Sequence, residues 1–283
     1  MISSLVIIKE ESKKSKKGIY DKRNKINDLT GKEWLKLTKS VWISKRCAAD
    51  KDAFEHPAPF LIEDIRKLVQ FFTKSDDLVA DIFMGSGTSI IAACLEGRFG
   101  LGIDLNSKYC ALARRRLKKL KIKKDRYQII KGDSLATLKK ISAIDYCVTS
   151  PPYHNILKNK GDGVRHDGSQ RRQGIEFYSS QKNDVGNQKS YMSYMLSIKK
   201  IMTLVHRKLK EKKYCSIIIS DFTVNKKEKN VHGDVITLMQ EIGFEFSGAT
   251  ILVQDSKILY PFGYPYAYKI NHHHQYILNF RKV

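Results

Sequence analysis

The sequence lacks the features of disulfide-stapled, zinc-binding or membrane-spanning chains. Its five cysteines are an odd number and form no Cys-x-x-Cys pair, so neither a disulfide framework nor a zinc ribbon is indicated. No apolar run approaches the ~20 residues that a membrane helix needs. Residues 1–8 are apolar and a Lys-rich stretch follows them, the reverse of the order in a signal peptide. We therefore expect a cytoplasmic protein with no membrane partner.

A metal site is also not expected. The three consecutive histidines, His272 to His274, are the only candidate ligand run that stands out. Adjacent residues on an extended chain point to opposite faces, and no carboxylate or cysteine cluster accompanies these three. A structural role or a place in the lining of a substrate pocket is the better interpretation.

Acidic residues are scarce relative to basic ones. The 283 residues include 52 Lys and Arg but 29 Asp and Glu, for a net charge of +23. Such a surplus indicates a polyanionic partner, nucleic acid first and an anionic membrane second. The surplus gathers in residues 1–50, 114–126 and 199–230, whereas residues 51–113 are net acidic. Residues 1–27 are expected to form a flexible basic arm.

Short apolar runs alternate with helical patterns along most of the chain. Apolar content is 42%, enough for a sizeable core. The strand–helix–strand rhythm predicts an α/β fold with a Rossmann-like, doubly wound, mostly parallel sheet of about seven strands in a single domain, 1–283. Strands are predicted near 78–83, 99–103, 127–130, 144–148, 215–220, 249–253 and 275–280, and helices near 61–72, 88–96, 107–120, 191–209 and 234–242, with Ser107 able to cap the third.

The first motif is a glycine-rich turn, Asp81-Ile-Phe-Met-Gly85-Ser-Gly87-Thr88, between a strand and a helix. Such a turn places backbone N–H groups and a helix N-terminus at the carboxyl edge of the sheet, where nucleotide-like ligands bind. The third glycine of a dinucleotide fingerprint is absent, because Ile90 stands there. Asp104, after the next strand, suits ribose hydroxyls. The acids favour a ligand with a ribose and a positive charge, although a structural turn with solvated acids is the alternative.

The second motif is Thr149-Ser150-Pro151-Pro152-Tyr153, directly after the fourth strand. Two prolines fix φ and remove two N–H donors, so rigid carbonyls can face the crevice as acceptors. An exocyclic amino group is a matching donor, and Tyr153 offers a face on which a base can stack. Alone, the motif is also compatible with an ordinary proline-rich turn, but it lies at a strand end in the same predicted crevice as the glycine turn.

Together these motifs resemble those of the S-adenosylmethionine-dependent DNA amino-methyltransferases of restriction-modification systems, the N4-cytosine and N6-adenine family. The resemblance covers about residues 34–280 and implies the class I methyltransferase fold. Two departures are Ile82, where the family usually has proline, and the order of the two motifs. The implied catalytic residues are Ser150, Pro151, Pro152 and Tyr153, and the implied cofactor-binding residues are His56, Pro57, Phe60, Asp81, Phe83, Gly85, Gly87, Thr88, Asp104, Leu105, Asp133 and Ser134.

The resemblance also implies a reaction. A base flips out of double-stranded DNA, because its amino group is unreachable in the stack, and receives the methyl group on that nitrogen. No cysteine follows a proline, which disfavours methylation of cytosine C5. Ser at position 150 favours cytosine N4, with adenine N6 as the alternative. Further alternatives are methylation of an RNA base and a non-catalytic cofactor-binding protein that docks on nucleic acid. A restriction endonuclease is the implied functional partner.

Base recognition is expected in residues 154–190, a polar segment rich in Gly, Asn, Gln, Ser and Arg. Arg, Asn and Gln are the side chains that read base edges, and a disordered insertion is the alternative interpretation. The basic stretch 114–126 is expected to contact phosphates or to form a solvated face. The candidate nucleic-acid contacts are Arg114, Arg115, Arg165, Arg171 and Arg172, with Asn183 and Gln188 as further polar candidates for base reading.

Overall fold

The structure, a computed structural model, describes residues 18–154, 181, 183–224, 227–255 and 257–283. Ten strands lie in these ranges: β1 Val41–Ile43, β2 Leu78–Asp81, β3 Phe99–Asp104, β4 Tyr127–Lys131, β5 Ile144–Thr149, β6 Leu209–Ile219, β7 Phe222–Val224, β8 Lys227–Lys229, β9 Phe244–Val253 and β10 His274–Lys282. Seven α-helices accompany them: α1 Gly31–Leu37, α2 Ile62–Phe72, α3 Thr88–Leu95, α4 Ser107–Lys119, α5 Ser134–Thr137, α6 Tyr191–Lys208 and α7 Val231–Ile242.

Eight of these strands form one sheet in the order β1-β9-β10-β6-β5-β2-β3-β4. Strand β10 runs antiparallel to β9 and β6, and the other neighbouring pairs are parallel. Strand β5 is buried at all six positions, as expected for a parallel strand with helices on both faces. The predicted doubly wound α/β fold is confirmed. The eighth strand, β1, was not predicted from the sequence, because a run of three residues has no readable period.

Helices cover both faces of the sheet. On one face, α6 and α7 pack Tyr194, Met202 and Val235 against a large apolar cluster. On the other face, α2 contributes Ile65 and Val69 to a second cluster, and α3 and α4 meet in a third. Neighbouring residues of β5 divide between the first two clusters, Cys147 facing one and Tyr146 and Val148 the other. This division is the alternation that a pleated strand imposes.

Element boundaries differ from the predictions mostly by extension. Strand β6 begins at Leu209, six residues before the predicted start, and β9 begins at Phe244. The first part of β6 was not predicted, because its residues are mostly charged and form no apolar run. The N-cap of α4 is Asn106, whose side chain accepts a hydrogen bond from the Lys108 N–H at 2.9 Å, so the expectation of a Ser107 cap was wrong.

The sheet order places a ligand crevice between β2 and β5. From β2 the chain builds outward through β3 and β4, and from β5 it builds in the other direction through β6. In open α/β sheets, ligands bind outside the carboxyl ends of the strands where this order reverses. Within the described ranges, no helix is long and apolar enough to cross a membrane.

Candidate functional site

A cleft opens at this crevice, at the carboxyl ends of β2, β3, β4 and β5. It holds about 870 Å³ of space, part of it continuous with solvent. Its lining comes from four loops that follow strands, from the segment before α2 and from the residues just before α6. The lining residues are His56, Ala58, Pro59, Phe60, Ile82, Phe83, Met84, Gly85, Ser86, Thr88, Asp104, Leu105, Tyr109, Asp133, Ser134, Ser150, Pro151, Pro152, Tyr153, Asn183, Asp184, Val185 and Ile201.

Asp104 and the glycine turn form one wall of the cleft. The Asp104 carboxylate accepts hydrogen bonds from the Gly85 N–H at 2.8 Å and from the Asn106 N–H at 2.7 Å. These bonds fix the turn after β2 against the end of β3. Burial raises the pKa of Asp104 to about 6. The carboxylate is therefore ionised at neutral pH and keeps lone pairs for a ligand in the cleft.

His56 lies over the glycine turn from the segment before α2. A Cβ built on Gly85 would come within 3.0 Å of the His56 Nε2 atom, and the imidazole meets the ring of Tyr109 edge-on with a centroid distance of 4.5 Å. Burial lowers the pKa of His56 to about 4. The ring is consequently neutral at physiological pH and adds no positive charge to the cleft.

The opposite wall carries a second set of carboxylates. Asp133 caps α5 by accepting a hydrogen bond from the Ala136 N–H at 3.1 Å, and its other oxygen accepts one from the Asn183 amide at 2.6 Å. Asp184 is buried and accepts a hydrogen bond from the Gly186 N–H at 2.8 Å. The residues just before α6 thus close over the end of β4.

The cleft is acidic. Asp104, Asp133 and Asp184 line it, and the described lining contains no Lys or Arg. The sign is opposite to that of the whole molecule, whose net charge is +23. A ligand with positive charge and hydrogen-bonding hydroxyls fits this lining, and a pyrophosphate does not.

The Pro-Pro-Tyr turn borders the same cleft at the end of β5. Ser150, Pro151, Pro152 and Tyr153 all line it. The Tyr153 hydroxyl accepts a hydrogen bond from the Gln275 amide at 3.1 Å, and the ring packs edge-on against Phe222 with a centroid distance of 5.6 Å. Burial raises the pKa of Tyr153, so the phenol stays protonated. Two contacts therefore hold the aromatic face in one orientation before any ligand arrives.

Asp81 does not line the cleft but connects its two motifs. Its buried carboxylate accepts hydrogen bonds from the Phe83 N–H at 3.1 Å, from the Thr149 hydroxyl at 2.7 Å and from the Ser89 hydroxyl. These partners belong to the glycine turn, to the residue before Ser150 and to the first turn of α3. Burial raises the pKa of Asp81 to about 6. Its position suits a structural link between the two motifs better than direct contact with a ligand.

The structure brings most of the predicted site residues together. Among the cofactor-binding candidates, Pro57 and Gly87 join Asp81 outside the lining. Gly87 has φ +79°, and a Cβ there would lie 2.5 Å from the Cβ of Ala113. The close approach of α4 accounts for this glycine, because no side chain fits between the two. Arg165, Arg171, Arg172 and most of the segment 154–190 lie outside the described residues, as do residues 1–17 of the predicted arm.

The basic stretch 114–126 is less uniform than its sequence indicates. Arg114 is exposed and donates to the Ile129 carbonyl at 2.9 Å, and Arg115 is exposed and paired with Glu55. Arg116 is buried, and its guanidinium donates to the Ser86 carbonyl at 2.7 Å and to the Thr88 hydroxyl at 2.9 Å. The interpretation of Arg116 as part of a basic outer face was therefore wrong. The Arg116 side chain instead stabilises the glycine turn from the side of α4.

Several lining residues were not found from the sequence. Tyr109 lies in the first turn of α4, and Asp184 caps a short 3₁₀ turn, Val185–Asn187. Asn183 was expected among the base-reading residues, but it contacts Asp133 across the cleft. An Asn-Asp pair is a recognisable turn pattern. Its proximity to Asp133 is a tertiary contact that no local pattern shows.

The fold and the cleft define a class of protein. An open sheet with one antiparallel strand near its edge, a glycine turn after β2, an acid after β3 and a Pro-Pro-Tyr turn after β5 are those of a Rossmann-like, class I methyltransferase. A solved structure, TrmN from Thermus thermophilus, has the same fold with a TM-score of 0.51, at 13% identity over 83% of this chain and 52% of that one.

The family follows from the sequence comparison. The family model described as DNA methylase, N6_N4_Mtase, matches residues 5–115 and 144–283, and the chain belongs to this family of S-adenosylmethionine-dependent DNA amino-methyltransferases. The orphan methyltransferase M.BamHII of Bacillus amyloliquefaciens is 36% identical over 74 residues, 26% of this chain and 28% of that protein. The Type II methyltransferase M2.DpnII of Streptococcus pneumoniae is 34% identical over 99 residues, 35% of each. The chain thus spans about a third of these relatives or less.

The cleft fits the cofactor of this family. S-adenosylmethionine carries a ribose, an adenine, a sulfonium, an amino group and one carboxylate, so its net charge is positive. The three carboxylates offer acceptors for hydroxyl and amino groups. Because His56 is neutral and the described lining contains no Lys or Arg, no positive charge in the lining repels the sulfonium. The predicted cofactor is therefore consistent with the chemistry of the residues present.

Proposed function

We propose that this protein transfers the methyl group of S-adenosylmethionine to the exocyclic amino group of a base in double-stranded DNA, within a short specific site. One observation carries the proposal: Ser150, Pro151 and Tyr153 line the same cleft as Asp104 and the glycine turn. The hydrogen-bond acceptors for an amino group, at Ser150 and Pro151, and the site for a cationic cofactor, at Asp104, thus lie in one cavity. Binding both in one cavity is what a direct transfer requires.

For the cofactor, we propose that Asp104 accepts from the ribose hydroxyls and that Asp133, held by Asn183, contacts the adenine. The segment His56 to Phe60, with Tyr109, would cover the methionine part, while Pro57 supports that segment from outside the lining. Leu105, Phe83 and Ser134 complete the surface around the nucleoside. Asp81 and Gly87 would act by shaping the turn, and Thr88 by accepting from Arg116 next to the turn.

For the target base, we propose that Tyr153 stacks on the ring and that Ser150 and the Pro151 carbonyl accept hydrogen bonds from the amino group. Those bonds orient the nitrogen lone pair toward the cofactor. The bound cofactor supplies an electrophilic methyl group on a positively charged sulfur. In the transfer, the nitrogen–carbon bond would form as the sulfur–carbon bond breaks, and the nitrogen would then release one proton to solvent. The base must leave the duplex to reach the cleft.

We propose cytosine N4 as the acceptor, because Ser at position 150 is commoner in the N4-cytosine members that the motif resembles. Adenine N6 is the second candidate, since both acceptors present the same amino chemistry to Ser150 and Pro151. We further propose that the methylation protects DNA from a partner restriction endonuclease.

Methyl transfer by purified protein tests the proposal. Labelled S-adenosylmethionine and unmethylated genomic DNA are incubated with the protein, and the DNA is digested to nucleosides for mass spectrometry. We expect N4-methylcytosine. N6-methyladenine would move the assignment to the second candidate, and label in RNA alone would contradict a DNA substrate. Cofactor binding without any transfer would indicate a non-catalytic protein.

Substitutions in the turn test the catalytic assignment. Ser150→Ala and Tyr153→Ala should each reduce kcat on the order of 100-fold or more, because the amino group loses its orientation. The dissociation constant for S-adenosylmethionine, measured by calorimetry, should change little. Tyr153→Phe keeps the stacking face and should retain most activity, and Ser40→Ala, an exposed serine outside the cleft, is the control. Full activity in both alanine variants would refute the assignment.

A further inference from the structure

The connection between β9 and β10 exposes an unusual amount of aromatic surface. We call residues 257–273 the aromatic loop. Tyr264 is 82% exposed, Tyr266 94% and Tyr268 91%, and Ile258 and Leu259 are also exposed. So many exposed aromatic and apolar side chains within one short segment indicate an interaction site.

The composition of the aromatic loop indicates the chemistry of its partner. It contains four Tyr, one Phe, two Lys and two His, and no Asp or Glu. Lysines Lys257 and Lys269 stand at either side of the tyrosines. Aromatic faces flanked by cations, without any acid, suit a polyanion that offers flat rings to stack on. Exposed tyrosines also occur at protein and membrane interfaces, but the two lysines and the absence of acids in the loop favour a polyanion with stackable bases.

Hydrogen bonds and a tight turn give the aromatic loop a defined conformation. At its neck the Asn271 side chain accepts from the Tyr260 N–H at 3.0 Å and donates to the Tyr260 carbonyl at 2.8 Å, which ties the two sides together. At its tip Gly263 has φ +78°, and a Cβ there would lie 2.2 Å from the Ala267 carbonyl oxygen. The turn thus requires glycine. The tyrosines are presented on a shaped tip, which lowers the ordering cost of binding.

The aromatic loop also lies on the correct side of the molecule. It leaves the sheet at the carboxyl end of β9, and β9 runs parallel to the strands that end at the cleft. Gln275, two residues after the loop, donates to the Tyr153 hydroxyl at 3.1 Å. His272 contacts Glu228 of the β7–β8 hairpin at 2.9 Å. The loop is therefore attached to the surface that borders the target-base side of the cleft.

We propose that the aromatic loop is a nucleic-acid contact, in which the exposed tyrosines stack on bases that are unpaired when the target nucleotide leaves the duplex. The inference rests on the proposed function, since it supplies the reason for unpaired bases near Tyr153. Lys269 would contact a neighbouring phosphate. Neither role belongs to the transfer chemistry in the cleft.

The test compares tyrosine variants in DNA binding. Two variants are compared, Y264A/Y266A/Y268A and its ring-preserving counterpart Y264F/Y266F/Y268F. Each is titrated against a labelled single strand, a matched duplex and a mismatched duplex, in buffer without any S-adenosylmethionine analogue, and binding is measured by fluorescence anisotropy. The control replaces two exposed apolar residues elsewhere, Ile19→Ala and Leu35→Ala. Because loss of a base–aromatic stack weakens binding roughly tenfold, we expect the alanine variant to lose at least that factor on single-stranded and mismatched DNA. The phenylalanine variant should bind like the wild type.

Salt dependence separates the two kinds of contact. Lys269→Ala should reduce the slope of log K against log salt by about one, and the tyrosine variant should leave that slope unchanged. An alanine variant that binds all three DNAs like the wild type would overturn the proposal. The proposal would also be overturned if the alanine variant lost only its self-association, measured by sedimentation, or only its binding to phosphatidylglycerol vesicles.

The outcome is distinguishable from failure of the proposed function. If the wild type methylates DNA and the alanine variant keeps both kcat/KM and DNA affinity, the loop inference fails alone. If the alanine variant loses DNA affinity while the wild type transfers no methyl group, the methylation proposal fails alone. Gly263→Ala is a second variant, which keeps the tyrosines but removes the shape of the tip, and it should weaken binding to the mismatched duplex in the same direction.

Discussion

Asp81 and Asp104 show how two aspartates with similar sequence positions come to do different things. Each ends a strand of the parallel sheet, and burial raises the pKa of each to about 6. The carboxylate oxygens of Asp81 accept hydrogen bonds from Phe83, Ser89 and Thr149, inside the protein. Asp104 accepts two backbone N–H groups and still faces the cleft. The difference lies in what surrounds each residue.

The raised pKa of Asp104 predicts a pH dependence of cofactor binding. Below pH 6 the carboxyl is protonated, so it loses its attraction for a cationic ligand, and above pH 6 it is ionised. We expect the affinity for S-adenosylmethionine, measured by calorimetry, to rise from pH 5 to pH 7 with a midpoint near the pKa of about 6. Asp104→Ala should weaken binding roughly 10–100-fold at pH 7.5 and flatten the profile. An unchanged profile in that variant would contradict the ribose assignment, and Asp125→Ala, an exposed acid elsewhere, is the control.

At the scale of elements, the glycine turn is held from two directions. Asp104 fixes it from the end of β3, and Arg116 fixes it from α4. Arg116 also donates to the Ala49 carbonyl at 3.4 Å, which joins the turn to the segment that precedes α2. The cofactor side of the cleft is therefore a set of loops connected by side chains from helices and strands behind them.

Neighbouring arginines on α4 give a matched pair of variants. Arg116→Met leaves the buried Ser86 carbonyl and Thr88 hydroxyl without their charged donor, so we expect the free energy of unfolding to fall by about 2–4 kcal/mol. Arg115→Met removes an exposed ion pair with Glu55 and should change it by less than about 1 kcal/mol. Urea denaturation measures both. Equal effects of the two substitutions would argue against the buried role of Arg116.

The contact between the glycine turn and α4 predicts a second pair. Gly87→Ala places a Cβ 2.5 Å from that of Ala113 in addition to the strain of φ +79°, whereas Gly97→Ala at φ +76° meets open space. Gly97→Ala should therefore cost about 1–2 kcal/mol of unfolding free energy and Gly87→Ala more. Ala113→Gly should partly rescue Gly87→Ala, as a double-mutant cycle would show. Absence of any rescue would mean that strain alone accounts for the glycine.

For the whole molecule, the structure changes the meaning of the positive charge. Arg116, in the last turn of α4, is buried against the glycine turn and is not available to a phosphate. Part of the surplus of residues 114–126 is also paired, Lys119 with Asp52 and Arg126 with Asp76. The expectation that this stretch meets phosphates near the target stays a prediction.

The net charge of +23 predicts a steep salt dependence of DNA binding. A protein that makes about six phosphate contacts loses roughly 1,000-fold in affinity between 50 and 200 mM salt. The affinity for S-adenosylmethionine, bound in an acidic cleft, should change far less over the same range. Anisotropy titrations at several salt concentrations measure the first and calorimetry the second. A flat response of DNA binding would contradict a phosphate-dominated contact.

Several parts of this protein could be predicted from the sequence because they depend on neighbours in the chain. The alternation of strands and helices is one, since period and turn residues are local. The glycine turn and the Ser150–Tyr153 turn are others, because each is a short run at the end of a strand. The order of these motifs sufficed for the fold class. The three-residue strand β1 and the charged start of β6 escaped, because neither has an apolar period.

Only the tertiary structure decided which side chain of each motif faces the ligand. Strands buried on both faces are apolar throughout, so their sequence does not show that Asp81 points inward while Asp104 reaches the cleft. Arg116 is buried because α4 packs against the glycine turn, and Asn183 meets Asp133 because the sheet brings together two loops 50 residues apart. Local composition determines what a segment can form, and packing between distant segments determines what each side chain touches.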